Sequence, residues 1–130
     1  MDEKRKTPMQ IIDIDNKNSL SYMPFSGKEL YLSSSETEDA LIAAKAIGRG
    51  LITKFNAEKV VLFGSIARNK MTKKSDIDIA AWGIPDNIFY KAAAYADGYS
   101  GKWTVDLVDF KDCSKAVRTS ILREGIDINL

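Results

Sequence analysis

The chain has 130 residues, an apolar fraction of 45%, a charged fraction of 28% and a net charge of +1, ordinary values for one globular domain. The near-neutral charge argues against a protein that lives on nucleic acid or on an acidic membrane surface. The sequence contains no histidine and one cysteine, Cys113, which excludes Ser-His-Asp and Cys-His catalysis, histidine-rich zinc sites and an internal disulfide.

Oxygen atoms must therefore bind any metal, which favours magnesium or manganese. A single cysteine also indicates a reducing cytoplasm. No apolar run approaches the ~20 residues that span a bilayer, and the charged start MDEKRKTPMQ is not followed by the apolar segment of a signal peptide. We therefore expect a cytoplasmic protein that does not contact the membrane.

Residues 1–34 give the weakest pattern. The segments QIIDIDNKNSLSY and KELYL are candidate short strands, while the proline, glycine, serine and asparagine between them argue against a long helix. Two interpretations stay open for this extension: a partly ordered segment, and an added strand or partner-binding arm. We predict a folded domain over 35–130.

From Ser35 the pattern becomes helical. Ser35 is a candidate N-cap with Glu38 at the capping-box spacing. An apolar stripe of helical period, broken only by Lys45, then runs to Phe55, and Asn56 can end the helix in a left-handed conformation. We predict an amphipathic helix that packs on a sheet.

The remaining elements alternate along the chain. Strands are predicted at 58–63, 76–83 and 102–110, with a short helix at 66–71, longer helices at 85–101 and 113–125, and a terminal strand or tail after Gly125. This order predicts an α/β fold built on a small sheet.

Two aspartates, Asp76 and Asp78, lie one residue apart in the second predicted strand. Strand side chains alternate, so both lie on one face, ~6.5–7 Å apart along the strand, while Ile77 and Ile79 lie on the other face. That spacing suits carboxylates converging on two cations ~3.5–4 Å apart, as in two-metal phosphoryl transfer. The alternative for an isolated Asp-x-Asp is a pair of charges flanking a solvent-facing turn.

Gly64 and Ser65, which end the first predicted strand, favour the functional interpretation. Glycine lets the backbone turn tightly and approach a ligand closely. Ser65 would begin a short helix, whose free N–H groups favour phosphate. A nucleoside triphosphate with its metal needs both an anion-binding turn and a cation-binding strand.

Asp106 is the better candidate for a third carboxylate. Trp103, Val105 and Leu107 form the apolar set of the third strand, so Asp106 lies on the opposite face, whereas Asp109 is interpreted as a strand-end charge. Three carboxylates on one face would repel each other strongly without cations, so they predict bound metal.

These residues resemble the nucleotidyltransferase superfamily of the DNA polymerase beta type, whose hallmark is a Gly-Ser turn, a loop, Asp-x-Asp and a later aspartate. Here they are Gly64-Ser65, Asp76-Ile77-Asp78 and Asp106. The strings FGSIARNKMTKKSDIDIA and VDLVDFKDCSKAVRTSILREGIDI look most like minimal nucleotidyltransferases, the antitoxins paired with HEPN-domain toxins. The resemblance covers about residues 38–128.

The resemblance implies a small mixed sheet flanked by helices and a site that binds ATP with Mg²⁺. Asp76 and Asp78 would bind two metals, and Asp106 would complete the catalytic metal site and help to activate the incoming hydroxyl. Gly64 and Ser65 would hold the triphosphate, and Arg68 would pair with phosphate or brace the loop. Several antitoxins of this family transfer AMP to a tyrosine of a HEPN toxin.

The loop after Gly64-Ser65 departs from the family in one position. Asn69 stands where glycine is usual, and asparagine tolerates the left-handed conformation better than most residues. Lys70, Lys73 and Lys74 make the loop basic. Solvated lysines are the simpler interpretation, and electrostatic attraction of nucleotide by Lys73 or Lys74 is the alternative.

Three functions stay open from the sequence. The first is transfer of a nucleoside monophosphate to a protein hydroxyl, with a HEPN-type toxin as partner. The second is an antitoxin that blocks its partner by contact alone. The third is a transferase acting on a small molecule or nucleic acid, against which the short chain and low charge argue. The acceptor, the preferred nucleotide and the oligomeric state, including a homo-oligomer, stay open.

Overall fold

A computed structural model describes residues 31–129. The candidate strand QIIDIDNKNSLSY lies outside these residues, and of the candidate strand KELYL only Tyr31 and Leu32 are described. These two residues do not form a strand, although the Leu32 N–H donates to the Met71 carbonyl at 2.9 Å. The predicted division into 1–34 and 35–130 stays a prediction. In chain order the helices and strands are α1 (Ser34–Phe55), β1 (Lys59–Phe63), β2 (Ile77–Trp82), α2 (Asp86–Gly98), β3 (Val105–Asp109), a 3₁₀ turn (Phe110–Asp112), α3 (Lys115–Glu124) and β4 (Ile126–Asp127).

The four strands form one mixed sheet in the order β3-β2-β1-β4. Strand β2 pairs parallel with β3 and antiparallel with β1, and β1 also pairs antiparallel with β4. A parallel pair needs a crossover connection, which α2 supplies between β2 and β3. The predicted α/β class, with a small mixed sheet flanked by helices, is confirmed.

The two faces of the sheet are both covered, by different layers. Residues Val60, Leu62, Ile77, Ile79 and Val105 join the main core with buried residues of α1 and α2. Val61, Phe63 and Ala80 pack on the other face around Ile121 of α3. The predicted alternation is therefore correct, and Asp78 and Asp106 lie on the face that α3 partly covers.

The N-terminus of α1 differs from the prediction. Ser33, and not Ser35, is the N-cap: its hydroxyl accepts from the Glu36 backbone N–H at 3.2 Å, and the Glu36 carboxylate accepts from the Ser33 N–H at 3.0 Å. Serines at 33–35 followed by Glu36 and Glu38 offer the same spacing twice, so spacing alone could not choose. Asn56 does end the helix in a left-handed conformation, with φ 64°.

We expect Ser33→Ala to lower the free energy of unfolding by about 1 kcal/mol, because it removes a reciprocal cap. Urea unfolding followed by circular dichroism measures the change. The matched control is Ser35→Ala, for which we expect a change within about 0.5 kcal/mol. A larger loss for the control would contradict the assignment of Ser33 as the cap.

The segment after β1 is a turn and not the predicted short helix. Residues 64–69 have turn geometry, with one helical hydrogen bond from the Arg68 N–H to the Gly64 carbonyl at 3.1 Å and a wider one from the Lys70 N–H to the Ser65 carbonyl at 2.9 Å. Gly64 and Asn69 both have positive φ, 74° and 58°. These left-handed residues at each end stop the segment from propagating as a helix.

No helix within residues 31–129 combines the length and apolar character needed to cross a membrane.

Candidate functional site

The site is built around Asp78, the second residue of β2. In the sheet register Asp78 stands between Phe63 of β1 and Asp106 of β3. Its side chain is half-buried, while Asp106 beside it and Asp76 just before the strand are exposed. The structure therefore brings Asp78 and Asp106 together as neighbours across a parallel pair of strands. Asp76 directly precedes β2, two residues before Asp78.

Gly64 lies against the Asp78 carboxylate. A Cβ atom built on Gly64 would be only 2.2 Å from Asp78 Oδ2, and its φ of +74° is one that side chains other than glycine rarely adopt. The Gly-Ser turn and the Asp-x-Asp strand are therefore two walls of one site. The sequence places them apart, and the antiparallel β1-β2 pair brings them into contact.

The proximity of these carboxylates has an electrostatic consequence for Asp78. Burial, and then the negative charges of Asp106 and Asp76, raise the pKa of Asp78 from 3.8 to about 6, although the positive charge of Arg68 acts in the opposite direction. Within residues 31–129 no ion pair involves Asp76, Asp78 or Asp106. A bound cation would therefore stabilise the ionised form of this half-buried carboxylate, because it would offset the repulsion from the two like charges beside it.

The donor set fits a hard divalent cation such as Mg²⁺. All the candidate ligands are carboxylate oxygens, which Mg²⁺ prefers, and the residues offer neither thiolate nor imidazole. Asp76, Asp78 and Asp106 are the residues that would hold it. Their role as metal ligands stays a prediction, as do the roles of Gly64, Ser65 and Arg68 in nucleotide binding.

Arg68 has a partner that the sequence did not indicate. Its Nη1 donates to Glu124 Oε2 of α3 at 2.6 Å, and the Ser120 hydroxyl donates to the same oxygen at 2.7 Å. Glu124 follows Arg68 by 56 residues, and nothing in the spacing of the motif points to it. A charged residue in the last turn of an amphipathic helix carries no distinguishing pattern, so only the fold identifies this contact.

Asn69 occupies the left-handed conformation that its place in the turn requires, with φ 58°. We expect Asn69→Gly to change stability by less than about 0.5 kcal/mol, and Asn69→Ala to destabilise by about 1 kcal/mol, because alanine pays the left-handed penalty that asparagine and glycine largely avoid. Urea unfolding of the two variants measures this. Equal stability of both variants would contradict the turn geometry.

A second acidic group surrounds Asp109, which was interpreted as a strand-end charge. Carboxylate oxygens of Asp86, Asp109 and Asp112 lie within 4.8 Å of one another. Lys111 Nζ lies among them, 2.5 Å from Asp86 and 2.8 Å from Asp109, and its hydrogen bonds to Asp109 and Asp86 raise the pKa of Lys111. The lysine already supplies the positive charge, so this group differs from the Asp78 site.

Comparison with known proteins agrees with the site. The sequence profile of the family described as "Polymerase beta, Nucleotidyltransferase" matches residues 45–129, a span that contains both the Gly-Ser turn and all three aspartates. The chain belongs to this family. It is therefore a nucleotidyltransferase. The chain is also 33% identical over 99 residues to the Methanocaldococcus jannaschii protein named "Putative protein adenylyltransferase MJ0128", covering 74% of this chain and 93% of that protein.

Two solved structures share the fold. One, described as a "putative minimal nucleotidyltransferase", is 26% identical with a TM-score of 0.58, covering 69% of this chain and 93% of the other. A chain from the crystal structure of a toxin–antitoxin with AMP-PNP is 24% identical with a TM-score of 0.52, covering 70% of this chain and 71% of the other. The resemblance to minimal nucleotidyltransferases is thus confirmed.

Proposed function

We propose that this nucleotidyltransferase transfers AMP from ATP to a hydroxyl of a protein, and that the acceptor is a HEPN-type toxin for which it is the antitoxin. The observation that carries the proposal is the contact between Gly64 and Asp78, with Asp106 beside Asp78. A turn suited to phosphate and a crowded carboxylate pair suited to cations share one surface. Nucleotidyl transfer requires that combination.

The chemistry follows from where these groups lie. The acceptor oxygen forms a bond to the α-phosphorus, the bond from the α-phosphorus to the bridging oxygen breaks, and pyrophosphate leaves. Asp106 is exposed next to Asp78, so its carboxylate can take the hydroxyl proton. Gly64 and Ser65 present backbone to the phosphates, and Arg68 offers guanidinium N–H groups. Bound Mg²⁺ would supply neutralisation of the phosphate charge.

Two similarities support the protein acceptor and the partner. The Methanocaldococcus jannaschii relative is named as a protein adenylyltransferase. The fold is also shared with a chain of a toxin–antitoxin structure that contains AMP-PNP, an ATP analogue. The motif resembles antitoxins that modify HEPN toxins, and the protein hydroxyl is therefore a better candidate acceptor than a small molecule or a nucleic acid.

An antitoxin that acts by contact alone is the second candidate. The exposed Tyr90 of α2 and Tyr99 just after it, 67% and 48% accessible, are the observation that favours it, because exposed tyrosines are common in protein interfaces. Toxin neutralisation that persists in an Asp76→Asn/Asp78→Asn variant would support contact over catalysis. Loss of neutralisation in a folded double variant would exclude it.

Labelled ATP tests the proposed reaction. The protein is incubated with Mg²⁺, a HEPN-type toxin and ATP labelled in either the α- or the γ-phosphate. We expect the α-label alone to become covalently attached, because the γ-phosphate leaves in pyrophosphate. Attachment of the γ-label would indicate a kinase, and attachment of neither label would contradict the proposal.

A further inference from the structure

We propose that Glu124 is a positioning residue that fixes the guanidinium of Arg68 for the phosphates of the nucleotide. The inference rests on the proposed function, since it concerns the same site, and it adds α3 to the machinery that binds the nucleotide. The Gly-Ser turn, the Asp-x-Asp pair and the later aspartate that define the motif include neither Glu124 nor Ser120.

The backbone of Arg68 is anchored at the site. Its N–H donates to the carbonyl of Gly64 at 3.1 Å, and Gly64 in turn lies against the Asp78 carboxylate. The side chain is not anchored by the turn, because it is 47% exposed. A long, exposed arginine side chain samples many rotamers, so it loses conformational entropy when the guanidinium binds a phosphate.

Glu124 removes that freedom through a carboxylate that is itself held in place. The Ser120 hydroxyl, one helical turn earlier, and Arg68 Nη1 both donate to Glu124 Oε2, at 2.7 and 2.6 Å. The Ser120 hydrogen bond, followed by the charge of Arg68, keeps the pKa of Glu124 below its usual value. The carboxylate therefore stays ionised while it orients the guanidinium.

The contact leaves Arg68 able to bind a ligand. Within residues 31–129 the side chain makes one hydrogen bond, through Nη1, and the planar guanidinium keeps its other N–H groups for phosphate oxygens. An ion pair this exposed contributes little to stability. Its effect should therefore appear in nucleotide affinity, and hardly at all in folding.

Calorimetric titration with ATP and Mg²⁺ tests the inference without any acceptor protein. We expect the Kd for ATP to rise about 5- to 20-fold in Glu124→Ala and about 2- to 5-fold in Ser120→Ala. In a separate transfer assay with the acceptor protein, the KM for ATP should rise in Glu124→Ala while kcat changes less than about twofold, since Glu124 acts through binding. Glu38→Ala, on the exposed face of α1, is the matched control and should bind like wild type.

A double-variant cycle separates positioning from a general structural effect. If Glu124 acts through Arg68, Glu124→Ala added to Arg68→Ala raises the Kd no further. A Kd for Glu124→Ala within about twofold of wild type, or an equal weakening in the Arg68→Ala background, would overturn the inference alone. A wild-type protein that does not bind ATP would overturn the proposed function as well.

Discussion

Asp78→Asn should abolish catalysis and yet stabilise the metal-free protein. Transfer should fall at least about 100-fold, because the variant loses a charge at the centre of the site. In EDTA at pH 8 the free energy of unfolding should rise by about 1–2 kcal/mol. This is less than the free energy equivalent to the full pKa shift of Asp78, because the side chain is only half-buried and solvent screens its charge.

The raised pKa of Asp78 makes the free energy of unfolding depend on pH, and this dependence sets the direction of the change expected for Asp78→Asn. The folded pKa of Asp78 is about 6 and its ordinary value is 3.8, so between these values the folded state binds more protons than the unfolded state. Wild-type stability therefore falls as pH rises through this window and stays lower above it. The advantage of Asp78→Asn should disappear near pH 4.

Urea unfolding across this pH range, in EDTA, measures the effect. The matched control is Asp39→Asn on the exposed face of α1, which should leave both transfer and stability nearly unchanged. Asp78→Asn that destabilises the metal-free protein at pH 8 would mean that the carboxylate is stabilised by protein groups. The case for a cation site would then be lost.

Gly64→Ala should disable the site through a single methyl group. The new Cβ would overlap Asp78 Oδ2, and the residue would also keep an unfavourable φ of +74°. We expect transfer to fall about 100-fold because Asp78 must move, and stability to fall by about 2–4 kcal/mol from the combined clash and backbone strain.

Gly101 provides the control that separates these two causes. Its φ is +68°, and a Cβ there would meet nothing within 4 Å. Gly101→Ala should therefore show the backbone cost alone, about 1 kcal/mol, with normal transfer. Kinetics on folded protein, with unfolding curves for both variants, give the comparison. Near-normal transfer by Gly64→Ala would show that Asp78 is not held against the turn.

The sequence predicted what depends on alternation and local spacing. Strand geometry places Ile77 and Ile79 on one face of β2 and Asp78 on the other. The same alternation in β3 places Asp106 on the face that carries Asp78. Residues that share a face can be read from parity. The actual neighbour of Asp78 across β1, and the close approach of Gly64, depend on the register of an antiparallel pair.

Features that depend on a choice between equivalent local patterns, or on distant packing, could not be predicted. The N-cap of α1 is Ser33 and was predicted as Ser35, because both serines are followed by a glutamate three residues later. The helix predicted at 66–71 is a turn, because both Gly64 and Asn69 adopt a left-handed conformation. The contact of Glu124 with Arg68 joins residues 56 positions apart, which no local pattern encodes.

The central claim is that Asp78 and its neighbours bind nucleotide through a cation. Calorimetric titration of a nonhydrolysable ATP analogue into wild type and Asp78→Asn, each in Mg²⁺ and in EDTA, tests it most directly. We expect saturable binding for the wild type in Mg²⁺ and a large loss of affinity in the other three titrations. Equal affinity of wild type and Asp78→Asn in Mg²⁺, or wild-type affinity unchanged by EDTA, would contradict the claim.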